Sequence, residues 1–260
     1  MTSRSPLTVY FVSCGTPLLD EIVIKSFNKF SKNSNLDIKF LIVENTQFDL
    51  KAHIEKNGLI SNCTIVSNSN SQTSLTYSYG HGDGLEFAKH LIDTEYVFTC
   101  HSDTCVTSDS FFRELEDCMI NSVDLAGVCE DAHPDRVRAY HCSGLLVKTS
   151  IFKTVSMMPD LPKIDTADHL TLYCRDNNLN MRLFRNTYND SNLCDICDSP
   201  FKEMGKSCGV DRCLDSNNNV MFIHQGRGTS KISKAYIDAT SKKISTDGWI
   251  KMCNQIISSY

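Results

Sequence analysis

The sequence contains no apolar run of the roughly 18 to 20 residues that a membrane-spanning helix needs. Residues 1–6 are polar and lead directly into a strand pattern, without the apolar stretch of a secretion signal. Basic residues are not in excess, because 26 Lys and Arg stand against 31 Asp and Glu for a formal net charge of -5. This balance argues against a protein that coats nucleic acid without specificity, since such binding depends on neutralising phosphates. We expect a soluble, cytoplasmic protein.

No internal repeat and no long low-complexity linker divides the chain. Its 260 residues, 41% apolar and 22% charged, are enough to bury one large core. We therefore expect a single domain over residues 1–260 with a small elaboration. The 13 cysteines, without a secretion signal, are better explained as reduced thiols or metal ligands than as a disulfide framework.

The chain opens with a strand, a helix and a second strand. Residues 7–13 form a β-branched and aromatic run, a helical spacing of apolar residues begins at Leu18, and residues 38–43 form a second apolar run. This βαβ order favours a parallel sheet with a right-handed crossover, and so an α/β fold. Further strands are predicted at residues 63–66, 96–100, 123–129, 137–148, 181–184 and 220–223, and further helices at 48–57, 85–92, 111–121, 150–157, within 165–178 and in the tail 231–260.

The apolar strand at residues 96–100 ends abruptly in His101, Ser102 and Asp103. Polar groups at the carboxyl end of a buried strand lie where open α/β sheets bind their ligands. These three side chains are suited to a divalent cation or a diphosphate. Two simpler explanations stay open: Asp103 could cap the following helix or a turn, and His101 could be an ordinary hydrogen-bonded histidine.

Residues 189–219 are polar and irregular, and they carry two close pairs of cysteines. Cys194 and Cys197 are spaced C-x2-C, and Cys208 and Cys213 are spaced C-x4-C. Four thiolates in two such pairs can form a closed structural zinc site, in which the metal replaces the missing apolar core. Free thiols or two disulfides are the alternatives. The other nine cysteines lie mostly in apolar patterns and are predicted to be small core residues.

Taken together, the order and spacing of several segments resemble the GT-A glycosyltransferases of the family 2 type. The resemblance covers most of residues 7–230 and rests on the ends of the first two strands, on SYGHGDGLEFAKHLIDTEYVFTCHSD, on IDTADHLTLYCRDNNLNM and on FIHQGRGTS. It implies a Rossmann-like, mainly parallel sheet flanked by helices. It also implies transfer of a sugar from a nucleotide sugar, with a UDP-sugar favoured, to an acceptor hydroxyl.

For the donor diphosphate, the resemblance implies a Mn²⁺ or Mg²⁺ ion that bridges the two phosphates. Asp103 occupies the last position of an Asp-x-Asp motif whose first position is His101, and His224 is the natural second protein ligand. The ion would neutralise the charge that develops on the departing diphosphate. Ser102 and the glycine-rich loop with Arg227 would contact the pyrophosphate, although such a loop is also compatible with a plain turn.

For the nucleoside, the resemblance implies groups that follow the first two strands or open the helix before residues 96–100. These are Ser13, Gly15, Thr16, Glu44, Asn45, Gly82 and Asp83. The Glu44 carboxylate could accept a hydrogen bond from a base N–H or a ribose hydroxyl. Alternatively, Glu44 and Asn45 could form a solvated turn.

For the catalytic base, the resemblance implies a carboxylate that opens a late helix. Asp168 stands in that position, Asp165 is the other candidate, and the usual Glu beside the base is Ala167. The carboxylate would take the proton of the attacking hydroxyl while the anomeric carbon is inverted. Both aspartates are also compatible with plain helix caps.

The acceptor is predicted to be a glycan or a hydroxymethylated pyrimidine in phage-type DNA. Residues 225–251 carry six basic and two acidic side chains, a balance that suits a polyanion but also an ordinary helical surface. The loop with Glu130, Asp131, His133, Arg136, Arg138 and His141 could recognise the acceptor or could be solvated surface. A rival hypothesis is a non-catalytic module that binds nucleic acid through the cysteine segment and the basic tail.

Overall fold

A computed structural model describes residues 4–46, 48–69, 77–131, 134–198, 200–203, 211–226 and 245–259. The helices in these ranges are α1 (Pro17–Phe30), α2 (Leu50–Lys56), α3 (Tyr77–Ala88), α4 (Ser110–Ile120), α5 (Thr149–Thr154), α6 (Asp168–Asp176), α7 (Leu193–Ile196) and α8 (Thr246–Ser259). The strands are β1 (Ser5–Ser13), β2 (Leu36–Glu44), β3 (Cys63–Ser67), β4 (Tyr96–Cys100), β5 (Thr104–Val106), β6 (Leu125–Gly127), β7 (Glu130–Asp131), β8 (Ala139–Tyr140), β9 (Gly144–Lys148), β10 (Met181–Leu183), β11 (Arg185–Asn186), β12 (Asp211–Leu214) and β13 (Val220–His224).

A seven-stranded sheet with the order β10-β6-β9-β4-β1-β2-β3 forms the centre of the molecule. The pairs β1–β2, β2–β3, β1–β4 and β6–β10 are parallel, and β9 runs antiparallel to both β4 and β6. The predicted α/β fold with a mainly parallel sheet flanked by helices is confirmed. Because the parallel strands end at one edge, the residues that follow β1, β2 and β4 lie close together there.

Two apolar layers cover the two faces of this sheet. One layer contains α1, α2, α4 and α8, and the other contains α3, α5 and α6. Phe27 of α1 is central to the first layer, since its ring contacts those of Phe40, Phe98, Phe111 and Phe112 at centroid separations of 5.7 to 6.1 Å. Three of these contacts are edge-on and that with Phe98 is tilted. Such aromatic contacts add to the gain from apolar burial, and they hold β4 against α1 and α4.

A smaller antiparallel sheet, β11-β12-β13-β5, lies beside the central one. Its ladder pairs His224 with Thr104 on one side and with Asp211 on the other. Residues 189–219, expected to be irregular, contribute α7 and β12. The reason is that Cys213 and Leu214 are buried in the main apolar core, so this segment is held in part by ordinary packing.

Several boundaries differ from the sequence prediction. Helix α3 begins at Tyr77, earlier than the predicted residue 85, and it ends at Ala88, so that Leu91 is 46% exposed instead of buried. The predicted strand 137–148 is divided into β8 and β9. Strand β9 begins at Gly144, where a Cβ atom would lie 2.8 Å from Cγ1 of Val128, so only glycine fits this close approach.

Helix α8 forms the part of the predicted C-terminal tail that the structure describes. Trp249, Cys253 and Ile256 are buried against the main core, and Lys29 of α1 donates to the carbonyl of Ile257. The helix is therefore an integral layer of the domain. Among all the described helices, none is both long and apolar enough to cross a membrane.

Two glycines of α3 provide a matched test of how closely this helix approaches β1. A Cβ atom on Gly84 would lie 2.7 Å from Cγ2 of Val12, whereas one on Gly80 would meet nothing within 4 Å. Gly84→Ala should lower the free energy of unfolding by about 1–3 kcal/mol through overpacking. Gly80→Ala should raise it by about 0.5–1 kcal/mol, because alanine loses less entropy in a helix. Urea unfolding measures both, and equal effects of the two substitutions would contradict this packing.

Candidate functional site

The loop after β4 and the end of β13 bring His101, Asp103 and His224 together. Nδ1 of His101 lies 3.2 Å from Nε2 of His224, and Oδ1 of Asp103 lies 3.4 Å from the same Nε2. The three ligand atoms all lie within 4.8 Å of one another. The β13–β5 ladder explains this convergence, because it pairs His224 with the residue that follows Asp103.

Burial and charge give the two histidines opposite protonation preferences. Burial lowers the pKa of His101 well below its ordinary value, and the neighbouring histidines lower it further. Burial also opposes protonation of His224, but the carboxylates of Asp103 and Asp211 outweigh it and raise the pKa of His224 to about 9. The Asp103 carboxylate and the His224 imidazole form a donor pair that fits a divalent ion, with His101 beside them. Imidazole is more acceptable to Mn²⁺ than to Mg²⁺.

Asp211 contacts His224 on the side away from Asp103, and no sequence pattern predicts this contact. Its Oδ2 lies 3.5 Å from Nδ1 of His224, the ring nitrogen that points away from Asp103. The contact is an ion pair, since Nδ1 of His224 has no hydrogen-bond partner among the described residues. Asp211 lies opposite His224 because β12 pairs with β13. Only a prediction of this strand pairing could have identified Asp211.

Further side chains surround His101 on its other side. The ring centroid of His81, from α3, lies 4.9 Å from that of His101, and that of His141 lies 5.3 Å from it. Sγ of Cys142 lies 3.1 Å from Nε2 of His101. Cys142 is buried, as predicted, but it contacts the site. The sequence offered no signal for His81 or Cys142, because only the tertiary fold brings them to the end of β4.

The predicted nucleoside residues gather at the carboxyl ends of β1 and β2. Ser13 Oγ donates to Asp20 Oδ2 at 2.6 Å, and Gly15 and Thr16 follow in the turn before α1, where Gly15 has a φ of +77°. Oε1 of Glu44 accepts from the backbone N–H of Thr46 at 2.7 Å, while its buried Oε2 has no hydrogen-bond partner among the described residues. The Glu44 carboxylate is thus held in place by Thr46.

Asn45, Gly82 and Asp83 mainly fasten α3 to its surroundings. Asn45 Nδ2 donates to the carbonyl of Gly80 at 2.6 Å, and Asn68 Nδ2 donates to Asp83 Oδ2 at 2.8 Å. A Cβ atom on Gly82 would lie 2.9 Å from the carbonyl oxygen of Met157. These contacts give the three residues a role in packing. Their predicted place beside the nucleobase stays a hypothesis.

The two candidate catalytic bases, Asp165 and Asp168, have different partners at the start of α6. Asp168 is 1% exposed and accepts from the backbone N–H of Asp165 at 2.7 Å. Burial raises the pKa of Asp168 to about 7. Asp165 forms an ion pair with Arg136, and its Oδ1 accepts from the N–H of Thr166 at 2.8 Å. The two carboxyl groups therefore differ, since that of Asp165 is ion-paired and that of Asp168 is buried with a raised pKa.

The Cys142 thiol is affected both by the histidines and by the charges of the two aspartates. Burial raises the pKa of the Cys142 thiol well above its ordinary value, and the charges of Asp165 and Asp168 raise it further. The same thiol contacts Nε2 of His101.

The cysteine segment shows no complete metal site in the ranges that the structure covers. Sγ of Cys194 accepts from Arg212 at 3.0 Å, Sγ of Cys197 lies 3.1 Å from the carbonyl oxygen of Leu193, and Cys213 is buried in the core. The described chain contains two groups of side chains that could hold a metal ion, and neither includes these cysteines. Cys208 lies outside the described residues, as do Arg227 and His133, so the zinc site stays a prediction.

No protein-family model matches the chain, and no curated protein matches it in sequence. Among solved structures, it is similar to a mannosyltransferase from Pyrobaculum calidifontis in complex with GDP-Man and Mn²⁺, with 12% identity over 59% of this chain and 47% of that one and a TM-score of 0.44. It is also similar to glucosyl-3-phosphoglycerate synthase from Mycobacterium tuberculosis in complex with Mn²⁺, UDP and glucosyl-3-phosphoglycerate, with 12% identity, 69% coverage of each chain and a TM-score of 0.49.

A third similar structure is mouse xyloside xylosyltransferase 1, with 9% identity over 69% of this chain and 84% of that one and a TM-score of 0.43. The chain spans about half the length of the mannosyltransferase. At these identities and scores, any functional assignment of this chain has to come from its own residues.

Proposed function

We propose that this chain is a metal-dependent GT-A glycosyltransferase that moves a sugar from a nucleotide sugar to an acceptor hydroxyl. The observation that supports this most is the convergence of Asp103 and His224, with His101 beside them, at the carboxyl edge of a mainly parallel sheet. Asp103 and His224 would hold a divalent ion, Mn²⁺ in preference to Mg²⁺. When bound, that ion would stabilise the negative charge on the departing diphosphate.

The nucleoside, proposed to be uridine, binds beside the ends of β1 and β2. Glu44 Oε2 is buried and has no hydrogen-bond partner among the described residues, so it can accept from a base N–H or a ribose hydroxyl. Ser13, Gly15 and Thr16 form the adjacent wall. Ser102 is proposed to contact the diphosphate, and its Oγ lies 3.3 Å from Sγ of Cys14. Arg227 is predicted to contact the diphosphate as well.

Asp168 is proposed to be the general base. Its pKa of about 7 means that a large fraction is ionised at neutral pH and that the carboxylate retains a high proton affinity. It would take the proton of the acceptor hydroxyl as the anomeric carbon is inverted. Asp165, neutralised by Arg136, positions Asp168 through its backbone N–H.

The acceptor is proposed to be a glycan hydroxyl, and the hydroxymethyl group of a modified pyrimidine in DNA is the alternative. Both present an alcohol, so incubation with a labelled UDP-sugar can compare a glycan mixture, hydroxymethylated DNA and unmodified DNA. Label is expected in a hydroxyl-bearing acceptor and not in unmodified DNA. Label in unmodified DNA would contradict this chemistry.

Removing the metal-binding carboxylate should abolish donor cleavage. Asp103→Asn should lower Mn²⁺-dependent hydrolysis of UDP-sugars on the order of 100-fold, because the developing diphosphate charge loses its counter-ion. Asp93→Asn, at a side chain that is 75% exposed, is the matched control and should keep wild-type activity. Wild-type activity in Asp103→Asn would contradict the proposal, and inactivity of the wild type itself would favour the non-catalytic binding module.

The pH dependence of transfer should report on Asp168. Because burial raises its pKa to about 7, kcat/KM should be low in acid and should rise with a midpoint near pH 7 as the carboxyl loses its proton. Asp168→Asn can still accept the N–H of Asp165, and it should lower kcat by about 10²–10⁴ and remove that rise. Asp176→Asn, at the exposed end of the same helix, is the control. An unchanged pH profile in Asp168→Asn would exclude Asp168 as the base.

A further inference from the structure

His101 has two ring nitrogens, and they face different groups. Nδ1 faces His224 and Asp103, at 3.2 Å from Nε2 of His224 and 3.8 Å from Oδ1 of Asp103. Nε2 faces Cys142, whose Sγ is 3.1 Å away. The donor ion proposed above needs Asp103 and His224, so the Nε2 side of His101 is left for another ligand.

His81 completes a second set of potential ligand atoms on that side. Its Nδ1 lies 3.9 Å from Sγ of Cys142, and the ligand atoms of His81, His101 and Cys142 all lie within 4.8 Å of one another. Zinc bonds to sulfur at about 2.3 Å and to nitrogen at about 2.0–2.1 Å, which places tetrahedral sulfur and nitrogen ligands roughly 3.6 Å apart. The two observed sulfur–nitrogen separations, 3.1 and 3.9 Å, lie on either side of that value.

Three separate elements hold these side chains in place. His81 lies within α3, which is anchored by the close contacts of Gly82 and Gly84. His101 directly follows β4, and Cys142 precedes β9, the antiparallel neighbour of β4. Cys142 is 4% exposed. The set is therefore built on the rigid part of the sheet and helix, and it needs no large movement to surround an ion.

The chemistry of this set differs from that of the donor site. Two imidazoles and a thiolate favour zinc and other late or soft transition ions, whereas Mg²⁺ and Mn²⁺ favour oxygen. An ion at Nε2 of His101 leaves the ring proton on Nδ1, which lies 3.2 Å from Nε2 of His224 and 3.8 Å from Oδ1 of Asp103. Three protein ligands leave the fourth tetrahedral position open to water or to a bound molecule.

We propose that His81, His101 and Cys142 form a second metal site, which binds a zinc-type transition ion beside the donor site. Binding releases the thiol proton of Cys142 to solvent and places the ion between α3 and the start of β9. The site rests on side-chain geometry alone and does not depend on the proposed glycosyl transfer. It is also separate from the four-cysteine zinc site predicted for residues 189–219.

Co²⁺ is the probe for this site, because a cobalt–thiolate bond produces a charge-transfer band in the near ultraviolet. The 260-residue chain would carry Cys194→Ser and Cys208→Ser, which remove the other candidate thiolate site. It would be reduced and freed of metal before titration. This parent protein should show the band at one equivalent of Co²⁺. Zn²⁺ should displace the Co²⁺ and abolish the band.

Variants then test which residues bind the Co²⁺ ion that produces the band. Cys142→Ala should lose it, and His81→Gln, at a half-buried helix position, should weaken Co²⁺ binding at least about 10-fold. Cys174→Ala, a buried cysteine of the same apolar layer, should behave like the parent. Near-ultraviolet circular dichroism without metal checks that each variant is folded. A parent without the band, or an undiminished band in Cys142→Ala, would overturn the second site.

Discussion

The antiparallel ladder between β5 and β13 is the constraint on which the candidate site depends. It places His224 opposite Thr104, and the backbone N–H of Gln225 donates to the carbonyl of Asp103 at 3.0 Å. A shift of one residue would turn His224 to the other face of the sheet. Asp103 and His224 therefore meet only because two segments far apart in the chain share this register, which the aromatic packing of Phe222 against Phe98 and Phe111 stabilises.

Features encoded in short stretches of the chain could be predicted from the sequence. The alternation of strand, helix and strand in residues 5–44 follows from local apolar patterns, and Asp103 stands out because it directly follows a buried strand. Asp211, His81 and Cys142 could not be found in this way. They reach the site through strand pairing and helix packing, and no local pattern records which distant residues will meet.

Helix α3 shows where local propensity and tertiary packing disagree. Glycine costs about 1 kcal/mol in a helix interior, so the glycine-rich residues 79–84 were expected to precede the helix. In the structure they lie within it, because Gly82 and Gly84 allow α3 to approach Met157 and Val12 closely. That approach carries His81 to His101, so an unfavourable local sequence contributes directly to the cluster of histidines around the site.

The central claim is that Asp103 and His224 hold a divalent ion for a nucleotide diphosphate. Electron paramagnetic resonance of Mn²⁺ tests it directly, since aqueous Mn²⁺ gives a sharp signal that weakens on binding. Wild-type protein with UDP should remove this signal at one equivalent, above what UDP alone removes, and His224→Gln should not. Equal loss of signal with wild type and His224→Gln, or no loss beyond that of UDP alone, would contradict the account.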